Sequence, residues 1–560
     1  MLERRGTSEG MDILISENKQ QLIEELNKYH WPNGVGPKLK QILRRGIGVH
    51  HAGLLPFYRR AVEDLFEKKL LSVAVCTETL AAGINLPARS VVLKSLMKGP
   101  LGKEQLIDPS SAQQIFGRAG RPQFDSQGFV FAVAHEDDVR LLRWKRQYDQ
   151  IPENTKDPGL LKKKKDLKRK KPDRNSLRQY WNAAHFEKLR TSPPGRLYSK
   201  GPLPWRMLAY LLGLSAEVSR IRTFIRKRML DQPRIAAGEK VMDQMLITLH
   251  EGGYVELSPT PVKDEAGKYP ADFRAEIAKP TEKMAHLEPF HGVHPLYGAF
   301  LVQLLGKASW EERVQALESV LGFPKNLLKF TRPKEVSPGP LETEVVRPIL
   351  EQAGLISTKS AEQDQEPAHD EEAEERFETV ERRRKQFERP PEPEYEPWFA
   401  EKLQMLYGLQ QPEVSDLNVL PVWCAGELLQ TYGGNFHLYV RAKDLIRQEG
   451  IVFRHLLRLI LLCEEFAQVT PPETTFDEWR GFLADVAIRL TDTCRSIDPT
   501  SAEEVIQRAK AADDVAGKKL VHLLPDTLSE IPHTVKETAE IPPAPEWNMD
   551  DFAEGLFDEE

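Results

Sequence analysis

The residues best suited to chemistry stand at 113–125, Gln-Gln-Ile-Phe-Gly-Arg-Ala-Gly-Arg-Pro-Gln-Phe-Asp. Arg118 and Arg121 lie three positions apart, so a single turn would carry both side chains. A guanidinium is planar, permanently charged and forked. Two of them held together suit the oxygens of a transferring phosphoryl group, whose developing charge they neutralise. Gly117 and Gly120 lack a Cβ and let the backbone come close to a ligand or a facing domain. The same string would also suit a helix end broken by glycine, with two solvated arginines.

Upstream, the apolar run 73–76 leads through Thr77, Glu78 and Thr79 into a short helical pattern that must stop at Gly83, with Asn85 and Pro87 following. A third block, Gly46-Ile47-Gly48-Val49-His50-His51-Ala52-Gly53-Leu54-Leu55-Pro56, precedes Arg59, Arg60 and Glu63. Adjacent histidines point to different sides, and neither a cysteine at ligand spacing nor an H-E-x-x-H arrangement accompanies them. Zinc is therefore not expected.

Gln114, Gly117, Arg118 and Arg121, as Q-x-x-G-R-x-x-R, resemble motif VI of superfamily-two helicases. Residues 73–88 resemble motif V in its Ski-like form, and residues 46–66 resemble the segment that precedes it. This resemblance implies the second RecA-like motor lobe of such an enzyme, binding ATP with Mg²⁺ jointly with a first lobe. Arg118 and Arg121 would then be arginine fingers, with Gln114, Gly117, Gly83 and Asn85 toward the nucleotide. Thr77 and Thr79 would hold the nucleic-acid backbone, His51 would support that face or the packing under it, and residues 98–103 would form a strand-separating hairpin or else an ordinary surface turn.

The elements that must position these residues alternate. Strand-length apolar runs at 70–77, 91–96 and 129–133 are interleaved with helical patterns at 56–69, 110–119 (with a serine cap) and 136–148. Alternation of this kind predicts a parallel sheet covered by helices, with its functional loops at the strand ends. The chain contains no G-x-x-x-x-G-K-[ST] loop; residues 99–104, Gly-Pro-Leu-Gly-Lys-Glu, come nearest. No D-E-x-H box follows an apolar strand, and a motif IV strand is reduced to Ile13-Leu14-Ile15. The expectation is the C-terminal portion of an ATP-dependent helicase whose first lobe lies elsewhere in the protein or on another chain. A non-enzymatic nucleic-acid or partner-binding module built on a motor-like lobe is the alternative.

Composition predicts several domains: 560 residues, 29% charged and 40% hydrophobic. No apolar run approaches a membrane span, and four scattered cysteines without a secretory leader predict a reducing, cytoplasmic setting with no membrane partner. Net charge is only −6, so its distribution matters more than its sum. Residues 156–174 are strongly basic, and Lys163, Lys164 and Lys165 at their centre offer RNA or DNA a sequence-independent phosphate contact. A solvated linker would carry the same charge.

The fold class expected is multidomain α/β plus α: a RecA-like lobe (1–150), a basic linker (151–200), a winged helix (201–260), a helical region (261–357), a charged linker (358–397), a C-terminal helical domain (398–515) and an acidic tail (516–560). Arg220, Arg222, Arg226, Lys227 and Arg228 in the winged helix would face phosphates, or else that unit serves only for packing. Glu449 to Arg458 resemble the C-terminal helical domain of superkiller-type members.

Overall fold

The computed structural model of the chain describes residues 19–77, 88–121, 125–152, 157–193, 199, 201–265, 267–270, 272–357 and 396–516. Helices α1 (Lys19–Asn27) and α2 (Gly36–Leu43) lead into strand β1 (Ile47–His50). Helix α3 (Pro56–Glu67) starts with proline at its first position and buries Tyr58, Ala61, Val62 and Leu65, one apolar stripe at helical spacing. Strand β2 (Val73–Cys76) then returns parallel to β1, with His50 opposite Cys76.

A second parallel pair joins β3 (Ser90–Leu93) to β6 (Phe129–Ala132). Between them the antiparallel β4 (Met97–Lys98) and β5 (Gln105–Leu106) form the expected hairpin, and α4 (Pro109–Phe116) follows. The cap of α4 is Asp108, whose carboxylate accepts from the Ser110 and Ser111 amides, and not a serine as the sequence pattern indicates. Proline at the first helical position moves the cap upstream of both serines. A small core of Leu93, Leu96, Ile107, Ala112 and Leu189 underlies this half.

The basic segment is not an extended linker. Residues 158–169 form helix α6 (Pro158–Arg169), which lies against α5 (Glu136–Asp149): the Trp144 indole donates to the Leu167 carbonyl at 2.7 Å, and Lys164 stands over the Tyr148 ring. The chain then doubles back. The Gln179 amide donates to Glu104 beside the β4–β5 hairpin, and α7 (Ala183–Thr191) packs Phe186 on Phe116 of α4.

Helices α8 (Trp205–Leu214), α9 (Val218–Lys227) and α10 (Gln232–Glu251) are followed by β7 (Val255–Ser258). Its antiparallel partner is β8 (Ile277–Pro280), so this three-helix unit runs past the expected boundary at 260. The arginines expected to face phosphates are paired internally. Arg222 forks onto Asp243 at 2.6 and 3.0 Å, Arg226 binds Glu239 and Arg220 binds Glu217.

From 295 onward the chain is helical. Glu318, at the end of α12 (Trp310–Ser319, after α11, Pro295–Leu305), is fully buried and accepts from the amides of Cys424, Ala425 and Gly426 and from His455 Nε2. Those amides open α14 (Ala425–Gln430), which follows α13 (Phe399–Gln410), so the carboxylate serves as a tertiary helix cap. Cys424 Sγ lies close by, but both carboxylate oxygens are already occupied by hydrogen bonds, which suits a cap better than a metal site. After α15 (Phe436–Ala442), the long helices α16 (Glu449–Phe466) and α17 (Phe476–Ile497) pair with each other and close with α18 (Pro499–Ala516).

This helical domain docks directly on the N-terminal α/β lobe. Asp498 accepts two bonds from the Arg60 guanidinium and one from the Phe57 amide, while the Gly450 amide donates to the Gly53 carbonyl at 2.7 Å. A β-carbon at Gly450 would collide with the Leu54 carbonyl, so only glycine allows α16 to approach this closely.

Candidate nucleotide and nucleic-acid interface

The register of β1 against β2 decides one rim of the site. With His50 opposite Cys76, His51 and Thr77 stand side by side at the carboxyl ends of two parallel strands, and the Thr77 amide donates to the His50 carbonyl. The two histidines divide their work. His50 is buried and meets Glu63 Oε1 through Nε2 at 2.6 Å, whereas His51 is half-buried and accepts from the Gly53 amide through Nδ1. Burial, then the nearby His50 and Arg59, lower the His51 pKa, so the ring is a neutral donor or acceptor near neutral pH.

The second rim is the turn after α4. Gly117 ends that helix, and the Ala88 amide then donates to Arg118 O while the Gly120 amide donates to Ala88 O. Ala88 and Ala119 thus pair as a parallel bridge, which ties the arginine turn to the residue closing the 73–88 block. Gly120 adopts φ +90°, and a β-carbon at Gly128 would strike the Ala119 backbone, so two glycines permit the stitch. Gln114 is exposed, and Arg118 and Arg121 are half-exposed.

Arg121 is already gripped. Its Nε and Nη2 reach the two Asp125 oxygens at 2.7 and 2.9 Å, and its amide donates to the same carboxylate. This fork holds Asp125 down to about 2, mainly through the Arg121 side-chain bond. The i, i+4 spacing of Asp125 from Arg121 is the sequence signal for the pair.

The structure thus joins His51 to Thr77, and joins Arg118, Arg121, Gly117 and Gln114 on one turn. Thr79, Gly83 and Asn85 lie outside the described residues. Lys163, Lys164 and Lys165 lie on α6, with Lys163 and Lys165 exposed and Lys164 turned toward Tyr148. Sequence reasoning missed the helical domain's hold on the Ala52–Leu54 loop, where Arg454 Nη2 donates to the Ala52 carbonyl at 2.7 Å.

Residues 7–123 match the helicase conserved C-terminal domain. The chain is 39% identical over 128 residues to the chloroplastic DExH-box ATP-dependent RNA helicase DExH15 of Arabidopsis thaliana, a match covering 22% of this chain and 11% of that protein. It is 38% identical over 137 residues to the probable helicase HelY of Mycobacterium leprae, covering 24% and 14%. With the antiviral helicase SKI2 of Saccharomyces cerevisiae it shares 37% over 115 residues, covering 20% and 9%. Residues 7–123 therefore carry a helicase conserved C-terminal domain, and the chain's similarities include a DExH-box RNA helicase and the antiviral helicase SKI2. Its match spans 9 to 14% of the length of these relatives. Among the described residues no helix is long and apolar enough to cross a membrane.

Proposed function

We propose that this chain supplies the arginine-bearing, strand-holding half of an ATP-dependent nucleic-acid helicase. The observation that carries this reading is the pair of rims: His51 beside Thr77 at two strand ends, and the Arg118–Arg121 turn bridged back to Ala88. In the complete motor a first lobe brings the phosphate-binding loop and the Mg²⁺ ligands. Arg118 and Arg121 reach the γ-phosphate across the cleft, with Gln114, Gly117, Gly83 and Asn85 beside them. Thr77, Thr79 and His51 hold the RNA or DNA backbone, and lobe closure on ATP shifts that strand.

A non-enzymatic strand-binding module is the second reading, favoured by the Arg121–Asp125 fork, which occupies one of the two fingers. One experiment separates the two. The purified chain should hydrolyse no ATP with or without nucleic acid, and adding a phosphate-binding first lobe as a separate chain or fusion should restore strand-stimulated turnover. Turnover by the chain alone sinks the division of labour; silence after the lobe has bound sinks the motor reading.

The α6 lysines are proposed as a second phosphate contact. Replacing Lys162–Lys165 and Lys168–Lys171 other than Arg169 with glutamine should weaken binding to single strands of different sequence by one common factor, because phosphate contacts carry no base information. The slope of log K against log salt should flatten by about 0.7 for each phosphate no longer neutralised. An unchanged slope in titrations at several salt concentrations would retire the helix as a strand-binding element.

A further inference from the structure

Where the three-helix unit meets the helical domain, a partly open cavity of about 160 Å³ lies between them. Its floor is buried and mostly aromatic: Tyr254 just before β7, Leu296 and Phe300 of α11, and Tyr407 of α13. The rim is polar, with the side chains of Gln303, Gln410 and Gln411. Lys283, in the 3₁₀ turn Glu282–His286 after β8, closes one side. Its ammonium donates to the Gly252 carbonyl at 2.8 Å and stands 4.8 Å from the centre of the Tyr254 ring. An ammonium has three donors, so two remain for a ligand. Behind the floor, the Tyr407 hydroxyl has no hydrogen-bond partner, nor has that of Tyr297, whose ring meets Tyr407 edge-on at 5.1 Å. Folding has thus left this wall with polar atoms that a plain hydrocarbon core would not carry.

This lining selects a ligand by class. No carboxylate, histidine or cysteine lines the cavity, so it offers a metal ion little. Three amides and an ammonium at the rim disfavour a purely apolar guest, and a bare phosphate would leave the aromatic floor unused. A cavity of about 150 Å³ takes up benzene, so this one has room for a single six-membered ring. Glutamine amides offer a donor and an acceptor to the edge of a base, aromatic faces stack on it, and an ammonium pairs with a phosphate. We propose that the cavity binds a free pyrimidine mononucleotide. The base lies on the Tyr254, Phe300 and Tyr407 rings, the glutamines read its edge, and Lys283 takes its phosphate. The lining carries one cation and space for one ring, which suits one nucleotide better than a continuing strand. The site is independent of the rims described above, and a ligand in it ties the three-helix unit to α11 and α13.

Calorimetric titration of the full chain with uridine monophosphate, alongside thermal melting, tests this. Binding should saturate at one ligand per chain and raise the melting temperature as the site fills. Uridine, which lacks the phosphate, should bind about tenfold more weakly, and inorganic phosphate alone should not bind. Adenosine monophosphate should bind less well than uridine monophosphate, because a bicyclic base exceeds the space. Lys283→Gln should reduce uridine monophosphate to the affinity of uridine and leave uridine itself unchanged. A purely structural role for Lys283 would lower melting without that split and would overturn its assignment. Gln303→Ala and Gln410→Ala, at exposed positions, should each weaken both ligands by about threefold to tenfold, with the melting temperature of the free chain unchanged. The proposal falls if uridine monophosphate does not bind, if it binds equally well to all three variants and so sits elsewhere, or if adenosine monophosphate binds more tightly. Oligothymidylate binding more tightly than the mononucleotide, and weakened by the same variants, would make the cavity a strand contact and overturn the free-ligand assignment.

Discussion

Arg118→Ala or Arg121→Ala, in an enzyme completed with a first lobe, is expected to lower ATP turnover by about 10³–10⁵, the usual worth of an arginine finger. That is roughly 4–7 kcal/mol of transition-state stabilisation, at ~1.36 kcal/mol per factor of ten. Nucleic-acid affinity should barely change, because the Arg118–Arg121 turn lies on a different rim from His51 and Thr77. Lysine should rescue neither, since it cannot make the bidentate contact. The fork onto Asp125 adds a refinement: Arg121 must exchange one carboxylate for a phosphate, whereas any help from Asp125 is positional and near the surface, where such pairs are worth little. Single-turnover assays of both alanine variants decide the matter. Rates within about threefold of the parent, ~0.7 kcal/mol or less, would mean that the finger assignment is wrong.

The second large effect lies at the domain junction. Glu449 opens α16 and is fully buried; neither of its oxygens has a hydrogen-bond partner, and it stands beside Gly34 with His437 near the same point. Burial pushes its pKa up to about 8 from an ordinary 4.5, opposed only by the Val35 amide, which stops short of a hydrogen bond. The folded chain therefore holds this proton more tightly than the unfolded one. Its contribution is fully present below about pH 4.5 and fades progressively as pH rises to about 8.

Glu449→Gln copies the neutral acid at every pH, so its stability advantage over wild type should grow across that window. An upper bound above pH 8 is on the order of 3–5 kcal/mol. Urea midpoints of the two proteins from pH 5 to 9 test this. Glu465, pushed up to about 7 by burial in a loop contact with His291 and Gly292, adds its own pH dependence to both proteins, which is why the difference is the quantity to follow. Parallel curves would show that Glu449 ionises without cost.

The motor lobe is largely legible in the sequence because its signals are local. Apolar runs of strand length, a proline opening α3 and glycines around Arg118 each constrain the backbone within a few positions, whereas β1 (Ile47–His50), with a glycine inside a four-residue run, does not read as a strand until it is paired with β2. The α4 cap is harder to place, since Asp108, Ser110 and Ser111 all cap well and only Pro109 discriminates among them. The basic run is legible as charge but not as helix, because its packing depends on Trp144 and Tyr148 from the preceding helix. The partner strand of β7 escapes a local reading because a loop of eighteen residues separates the two. Nothing in the string Glu449-Gly450-Ile451 says that Gly53, some four hundred positions earlier, needs the space a side chain would fill. Contacts of that span leave no periodic trace.

The bond between Arg60 and Asp498 joins residues 438 positions apart. A chain made from its N-terminus at about 5–20 residues per second cannot close that bond until some 20–90 s after Arg60 has been added. Throughout that interval the Phe57–Arg60 end of α3 and the Gly53–Leu54 turn lack the surface that will cover them. Vectorial synthesis thus leaves this lobe waiting for the helical domain that seals it, and the docking face of α3 is completed only once translation has passed Asp498.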